Sequence, residues 1–75
     1  MKQLMDYVDL NGRTYYISTA DTPDHGLETM VFECEFGTTK VKDWGDLYSD
    51  RYFTLNRAIS GHKYVVDNLE ECLEY

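Results

Sequence analysis

Residues 4–19 read LMDYVDLNGRTYYIST and have the pattern of a β-hairpin. Asn11-Gly12 lies between two strand-like runs, and this dipeptide is the strongest short-range hairpin signal because a type I′ turn needs positive φ at both central positions. A two-residue loop pairs Leu10 with Arg13 and Val8 with Tyr15. We therefore expect one face of the hairpin to line the core, with Leu4, Val8, Leu10, Tyr15 and Ile17 on it.

The opposite face of the hairpin is polar but carries two large aromatic residues. Its members are Met5, Tyr7, Asp9, Thr14, Tyr16 and Ser18. Aromatic side chains on a wet surface are typical of protein interfaces, because they offer a large and rigid contact area. This face is predicted to be a contact surface.

Two more strands are predicted after the hairpin. Residues 21–26, DTPDHG, concentrate turn formers and predict a loop. Strict alternation from Thr29 to Phe36 then predicts a half-buried third strand. Met30, Phe32, Cys34 and Phe36 point to one side of this strand, and Val31, Glu33 and Glu35 point to the other. Lys40 to Phe53 predicts a fourth strand, which Trp44-Gly45 is placed to split.

From Leu55 the apolar period becomes helical, and Thr54 is placed to cap the start of the helix. The predicted apolar stripe contains Leu55, Ala58, Ile59, His62, Val65, Val66, Leu69 and Leu73. We expect Ile59 on this stripe to meet Phe32 of the third strand in one core. Gly61 is costly inside a helix, which indicates the close approach of a bulky side chain such as Trp44.

Together these patterns predict an α+β fold in which an antiparallel four-stranded meander sheet carries one C-terminal amphipathic helix packed on one face. The last strand of the sheet is whole or split. A chain of 75 residues has room for a single domain, which is predicted to span residues 1–75.

The charge of the chain limits its partners. Fourteen acidic residues against seven basic ones give a net charge of −7, which repels nucleic-acid backbones and anionic lipid surfaces. The sequence has no apolar run long enough for a signal peptide or a membrane span, so we expect a cytoplasmic protein. Cys34 and Cys72 lack metal or redox spacing and are expected to be buried, free thiols.

The sequence contains no pattern for a catalytic, cofactor-binding or metal site, and none of these is predicted. Nucleotide loops, nucleophile elbows and HExxH or EF-hand motifs do not occur. His62 lies on the apolar stripe, where a histidine is usually a core residue satisfied by a hydrogen bond. His25 lies in a loop without a second ligand at metal spacing.

Surplus tyrosines and acids are the candidates for partner binding. Seven tyrosines are more than a small core uses. Glu33 and Glu35 are about 6.6 to 7 Å apart at strand spacing, which resembles adjacent phosphates, but outward acids on a strand are also ordinary solubilising residues. Acids near the helix end oppose the helix dipole, which indicates either a solvated tail or a patch kept for a basic partner. The candidate residues are Tyr7, Tyr16, Glu33, Glu35, Tyr48, Tyr52, Glu70 and Glu71.

A set of residues between positions 24 and 66 resembles a pattern of small uncharacterised phage and prophage proteins. The pattern consists of Glu28-Thr29-Met30-Val31-Phe32, Trp44, Leu47-Tyr48, Arg51-Tyr52, Thr54, Ala58 and Gly61-His62. The resemblance implies an origin in a phage or mobile element, and it implies no activity.

The resulting hypothesis is a non-enzymatic, protein-binding accessory factor of a phage or prophage. As an acidic inhibitor, it would occupy the basic surface of a host protein such as a nucleic-acid-binding defence enzyme. The alternatives are a structural or self-associating module, such as a homodimer, and a small enzyme whose site is not visible in the sequence.

Overall fold

The computed structural model describes residues 3–74, so residues 1, 2 and 75 of the predicted domain lie outside the described part. The elements are β1 (Leu4–Leu10), β2 (Arg13–Thr22), β3 (Gly26–Cys34), β4 (Tyr48–Tyr52), α1 (Leu55–Asp67) and α2 (Leu69–Leu73). The four strands form one antiparallel sheet in the order β1-β2-β3-β4, with the helical segment packed on it. The predicted α+β meander is confirmed.

The hairpin at Asn11-Gly12 is confirmed. Asn11 has φ 52° and Gly12 has φ 77°, the positive values that a type I′ turn requires. Leu10 pairs with Arg13 and Val8 pairs with Tyr15, as predicted. The hairpin therefore fixes which residues of β1 and β2 share a face.

The main core lies between the sheet and the helices. Ile17 and Val31 are adjacent on β2 and β3, and both are fully buried. The core cluster contains Tyr15, Ile17, Val31, Val65, Leu69 and Cys72, with Val8 and Leu10 packed against it. The predicted core face of the hairpin is thus largely confirmed.

The expected contact between Phe32 and Ile59 is wrong. Phe32 pairs with Tyr16 and is buried in a second cluster on the sheet face away from α1. Ile59 is 48% exposed. Apolar groups cover both faces of β3. The more apolar row of β3, which contains Phe32, therefore does not identify the face that packs against the helix.

The buried face of the helix is rotated from the predicted stripe. Ala58, His62 and Val65 are buried in α1, and Leu69 and Cys72 continue this row in α2. Thr54 caps α1 as predicted, since its hydroxyl accepts a hydrogen bond from the Arg57 N–H. Because the sheet lies under the row through Ala58 and Cys72, the flanking apolar positions are left half exposed.

The predicted single helix is interrupted at Asn68. Asn68 has φ −128° and ψ 36°, and its side-chain amide donates to the Tyr64 carbonyl. Glu70 and Glu71 consequently lie in the first turn of α2, where a carboxylate suits the helix dipole. The expectation that these two acids oppose the dipole is wrong.

The fourth strand is shorter than predicted and its pairing is interrupted. Val41 makes an isolated bridge with Cys34, and regular pairing with β3 resumes only at Tyr48. Trp44-Gly45 lies in the interruption, as expected. Gly61 does accommodate a bulky group, but a Cβ atom there would overlap the ring of Tyr52 and not Trp44.

Candidate aromatic interface

A row of aromatic side chains crosses the sheet face that the helices leave uncovered. Tyr7 of β1 stacks on Tyr16 of β2 with ring centroids 5.0 Å apart, and Tyr16 stacks on Phe32 of β3 at 6.1 Å. Trp44 meets Phe32 edge to face at 5.1 Å. We call Tyr7, Tyr16, Phe32 and Trp44 the aromatic row.

The aromatic row is buried at its centre and exposed at its ends. Tyr16 is 8% exposed, so its predicted exposure is wrong, because Tyr7 and Phe32 cover the two sides of its ring. Tyr7 is 46% exposed, as predicted, and Trp44 is 67% exposed. The two ends therefore present large rigid rings to solvent from a packed base.

The loop that carries Trp44 is tied to the sheet. The Lys42 N–H donates to the Glu33 carbonyl at 2.9 Å, and the Gly45 N–H donates to the Asp43 carboxylate at 2.9 Å. Asp43 and Asp46 flank Trp44 in sequence, and both are exposed. The sequence predicts Trp44 as part of a strand break at Trp44-Gly45 and as a neighbour of Gly61, and not as a binding residue, although the acids on either side of it favour exposure of the ring.

At the other end of the row, Asp9 and Thr14 stabilise the sheet edge. The Thr14 hydroxyl donates to the Asp9 carboxylate at 2.7 Å and accepts from the Gly37 N–H at 2.8 Å. These bonds fasten the turn after β3 to the hairpin. The uncovered face is thus supported at one end by the backbone bond between Lys42 and Glu33 and at the other by the side-chain bonds of Thr14.

The predicted acidic pair Glu33 and Glu35 already has basic neighbours. Glu33 lies 3.6 Å from Arg13 and 3.5 Å from Lys42. Glu35 lies 3.4 Å from Lys40. These cations offset the local negative charge, so Glu33 and Glu35 present less net charge to a partner than Asp43 and Asp46 do.

Three other candidate residues line a second region, between β4 and the helices. Tyr48 and Tyr52 are half-buried there, and Glu71 accepts a 2.6 Å hydrogen bond from the Tyr64 hydroxyl. Burial, followed by the nearby Cys72 and Asp50, raises the pKa of Tyr48 to about 12. Tyr64 is half exposed and was not predicted, because its neighbours on the helix gave it no distinguishing pattern. Glu70 lies apart and accepts a 3.2 Å bond from Asn11.

A buried polar chain connects β1, α1, β2, β3 and β4. His62 Nε2 lies 2.7 Å from the Asp6 carboxylate, and His62 Nδ1 lies 2.7 Å from the Thr19 hydroxyl. Thr19 contacts the Thr29 hydroxyl, which accepts a 3.0 Å bond from the Tyr52 hydroxyl. If His62 Nε2–H donates to Asp6, His62 Nδ1 accepts from the Thr19 hydroxyl. Thr19 then accepts from Thr29, and Thr29 accepts from Tyr52. His62 is thus a core residue, as predicted, with both ring nitrogens bonded.

The Asp6, His62 and Thr19 side chains have the order of a catalytic triad. The nucleophile of such a triad must reach a substrate carbonyl. Thr19 is fully buried between the sheet and α1, and its hydroxyl already contacts both His62 and Thr29. The arrangement therefore satisfies buried polar groups and links all four strands to the helix.

Both thiols are buried, and they lie on opposite faces of the sheet. Cys34 belongs to the cluster under the aromatic row, and Cys72 belongs to the helix-side core. Burial raises the pKa of each thiol, which lowers its reactivity. Among residues 3–74, no three His, Cys, Asp or Glu side chains are grouped to hold a metal ion. Within the same residues, no helix is long and apolar enough to cross a bilayer.

Comparison of the chain with protein families, curated proteins and solved structures finds no match. The resemblance to small phage and prophage proteins therefore stays a prediction.

Proposed function

We propose that the protein is a non-enzymatic binding factor that docks its aromatic row on the basic surface of another protein. The observation that carries this proposal is the aromatic row itself, packed at Tyr16 and Phe32 and exposed at Tyr7 and Trp44. Tyrosine and tryptophan are enriched in interfaces because they give a large contact area at low entropic cost. A preformed row loses little further side-chain freedom on binding.

The charges around the row favour a basic partner. Asp43 and Asp46 flank Trp44, and the whole chain carries a net charge of −7. An arginine that stacks on Trp44 would gain a cation–π contact and lie near both carboxylates. Exposed rings also suit nucleic-acid bases, but the phosphates that accompany those bases would meet a repulsive field here.

This chemistry supports the more specific hypothesis of an acidic inhibitor. A host protein that binds nucleic acid displays basic residues in its cleft, and an acidic aromatic face would compete for that cleft. Under this proposal the protein acts in the cytoplasm of the host of a phage or prophage. The resemblance of residues 24–66 to small phage proteins supports that origin.

Trp44 offers a direct test because it is the only tryptophan of the chain. The native protein and its Trp44→Ala variant are used to capture partners from a bacterial lysate, and a captured protein is then purified. We expect its titration to shift the Trp44 emission to shorter wavelength, and we expect Tyr7→Ala and Trp44→Ala to weaken binding at least tenfold.

The matched control is Phe53→Ala, which removes a fully exposed aromatic ring outside the row. It should bind as the native protein does. Equal capture by the native protein, Trp44→Ala and Phe53→Ala would contradict the proposal. A native dimer that Trp44→Ala dissociates would assign the face to a second copy of the chain instead.

A further inference from the structure

Among residues 3–74 no strand pairs with the outer edge of β4, and Ser49, Asp50 and Arg51 at its centre are exposed. β4 pairs with β3 on one side only, through residues 48–52. The Arg51 N–H donates to the Asp50 carboxylate at 2.9 Å and so takes no part in the ladder with β3. Because backbone groups alternate along an antiparallel strand, Ser49 and Arg51 turn theirs towards the open edge. Asp50 thus covers one of the free donors of this edge.

A groove runs beside this edge, between β4 and α1. Its volume is about 830 Å³. Its walls include the aromatic residues Tyr48, Tyr52, Phe53 and Tyr64 and the charged residues Asp50, Arg51 and Arg57. Tyr48, Asp50 and Tyr52 pair with residues of β3 that face the helix, so these three side chains lie on the groove side. A strand added to β4 would place every second side chain in this groove.

Asp50 selects against a second copy of the chain as the added strand. Symmetric antiparallel pairing of two β4 strands about their centres would place Asp50 opposite the Asp50 of the other copy. Like charges directly opposite are destabilising, and a charge at the centre of an edge strand is a common protection against self-pairing. A strand with lysine or arginine at that position would instead gain a cross-strand ion pair.

We propose that the β4 edge binds an extended segment of another protein with a basic residue opposite Asp50 and apolar residues on either side of it. The backbone of the segment bonds to Ser49 and Arg51, and its apolar side chains contact Tyr48 and Tyr52 in the groove. A carbonyl of the segment replaces the Asp50 carboxylate on the Arg51 N–H, and the released carboxylate pairs with the cation. This site is separate from the aromatic row and does not depend on it.

Two peptides test the assignment, acetyl-Thr-Val-Thr-Lys-Thr-Val-Thr-amide and its counterpart with glutamate at the centre. In two-dimensional 15N NMR at millimolar peptide, we expect the lysine peptide to shift the amide signals of Ser49 and Arg51. It should bind about fivefold more tightly than the glutamate peptide, the preference of one exposed ion pair. Asp50→Lys should reverse this order. Asp24→Lys changes the charge equally in the β2–β3 turn, outside the lining of the groove, and should keep the order.

Ser49→Pro removes one outward N–H group but no hydrogen bond to β3. Proline is tolerated on an edge strand where the lost N–H faces solvent. The variant should abolish peptide binding with an unchanged circular dichroism spectrum. Trp44→Ala should bind the lysine peptide normally, which separates this site from the aromatic row. The inference is overturned if neither peptide shifts Ser49 and Arg51, or if Asp50→Lys keeps the preference for lysine. A native dimer that Ser49→Pro dissociates would also overturn it.

Discussion

The contact between Gly61 and Tyr52 depends on the absence of a single atom, the Cβ of residue 61. Tyr52 reaches across from β4, its ring lies where a Cβ of residue 61 would be, and its hydroxyl donates to Thr29. The sequence predicted a close approach at Gly61 because glycine is unfavourable inside a helix. It could not name Tyr52, since the partner depends on where β4 crosses α1.

Gly61→Ala is expected to destabilise the protein by about 1–2 kcal/mol. Alanine gains about 1 kcal/mol of helix propensity, but displacing the Tyr52 ring costs more through overpacking and the loss of its bond to Thr29. Urea denaturation measures the change. In a Tyr52→Ala background the same substitution should become stabilising, and a cost that persists there would contradict the steric cause.

The raised pKa of Tyr48 predicts a loss of protein stability at high pH. Its pKa is raised to about 12, so the unfolded chain, with an ordinary value near 10, loses the phenol proton first. The contribution of Tyr48 is therefore full below about pH 10 and decreases up to about pH 12, by at most about 2–3 kcal/mol. Urea midpoints of the native protein and of Tyr48→Phe at pH 9 to 12 measure the difference. Parallel pH curves for the two proteins would show that burial of Tyr48 is not the cause.

At the level of elements, local chemistry determines where the hairpin turns, but it does not determine which face of β3 packs against the helix. Asn11-Gly12 fixes the turn by its own φ values, and Thr54 fixes the start of α1 by its own side chain. Phe32 was placed on the wrong side because both clusters offer it an apolar environment. The side of β3 that faces the helix is set by the pairing of Val31 with Ile17. This pairing depends on the tertiary structure and not on the local sequence.

The break at Asn68 illustrates the same limit. Asn68 is compatible with a helix interior in sequence terms, but its side chain bonds the Tyr64 carbonyl and α2 starts anew. Glu70 and Glu71 also accept hydrogen bonds from Asn11 and Tyr64. Lysine at these two positions would lose those bonds, so charge reversal of Glu70 and Glu71 is not expected to stabilise the protein.

Gly12→Val is expected to destabilise the protein by at least about 1 kcal/mol. Gly12 has φ 77°, and a β-branched residue resists positive φ. Nothing within 4 Å would clash with a Cβ there, so the cost would be one of backbone conformation alone. Thermal and urea unfolding measure it, with Asn11→Gly as the control that keeps a residue tolerant of positive φ. An unchanged midpoint for Gly12→Val would contradict the turn assignment.

For the whole molecule, the distribution of acids matters more than their number. Among the described residues, the basic side chains Arg13, Lys40 and Lys42 gather around Glu33 and Glu35. Asp43 and Asp46 instead flank the exposed end of the aromatic row. The net charge of −7 therefore acts on a partner mainly through regions outside the β3 ion pairs.

Two double charge reversals separate local from global electrostatics. One variant combines Asp43→Lys with Asp46→Lys, and the other combines Glu33→Lys with Glu35→Lys. Both change the net charge of −7 by the same amount. We expect only the first pair to slow association with a captured partner, by about tenfold at low salt, because charges beside the contact raise encounter rates most. The slowing should fade as salt shortens the Debye length to about 8 Å at physiological ionic strength. Stopped-flow measurement of Trp44 emission gives the rates. Equal slowing by both variants would mean that the protein attracts its partner through net charge alone, and Asp43 and Asp46 would have no special place in the interface.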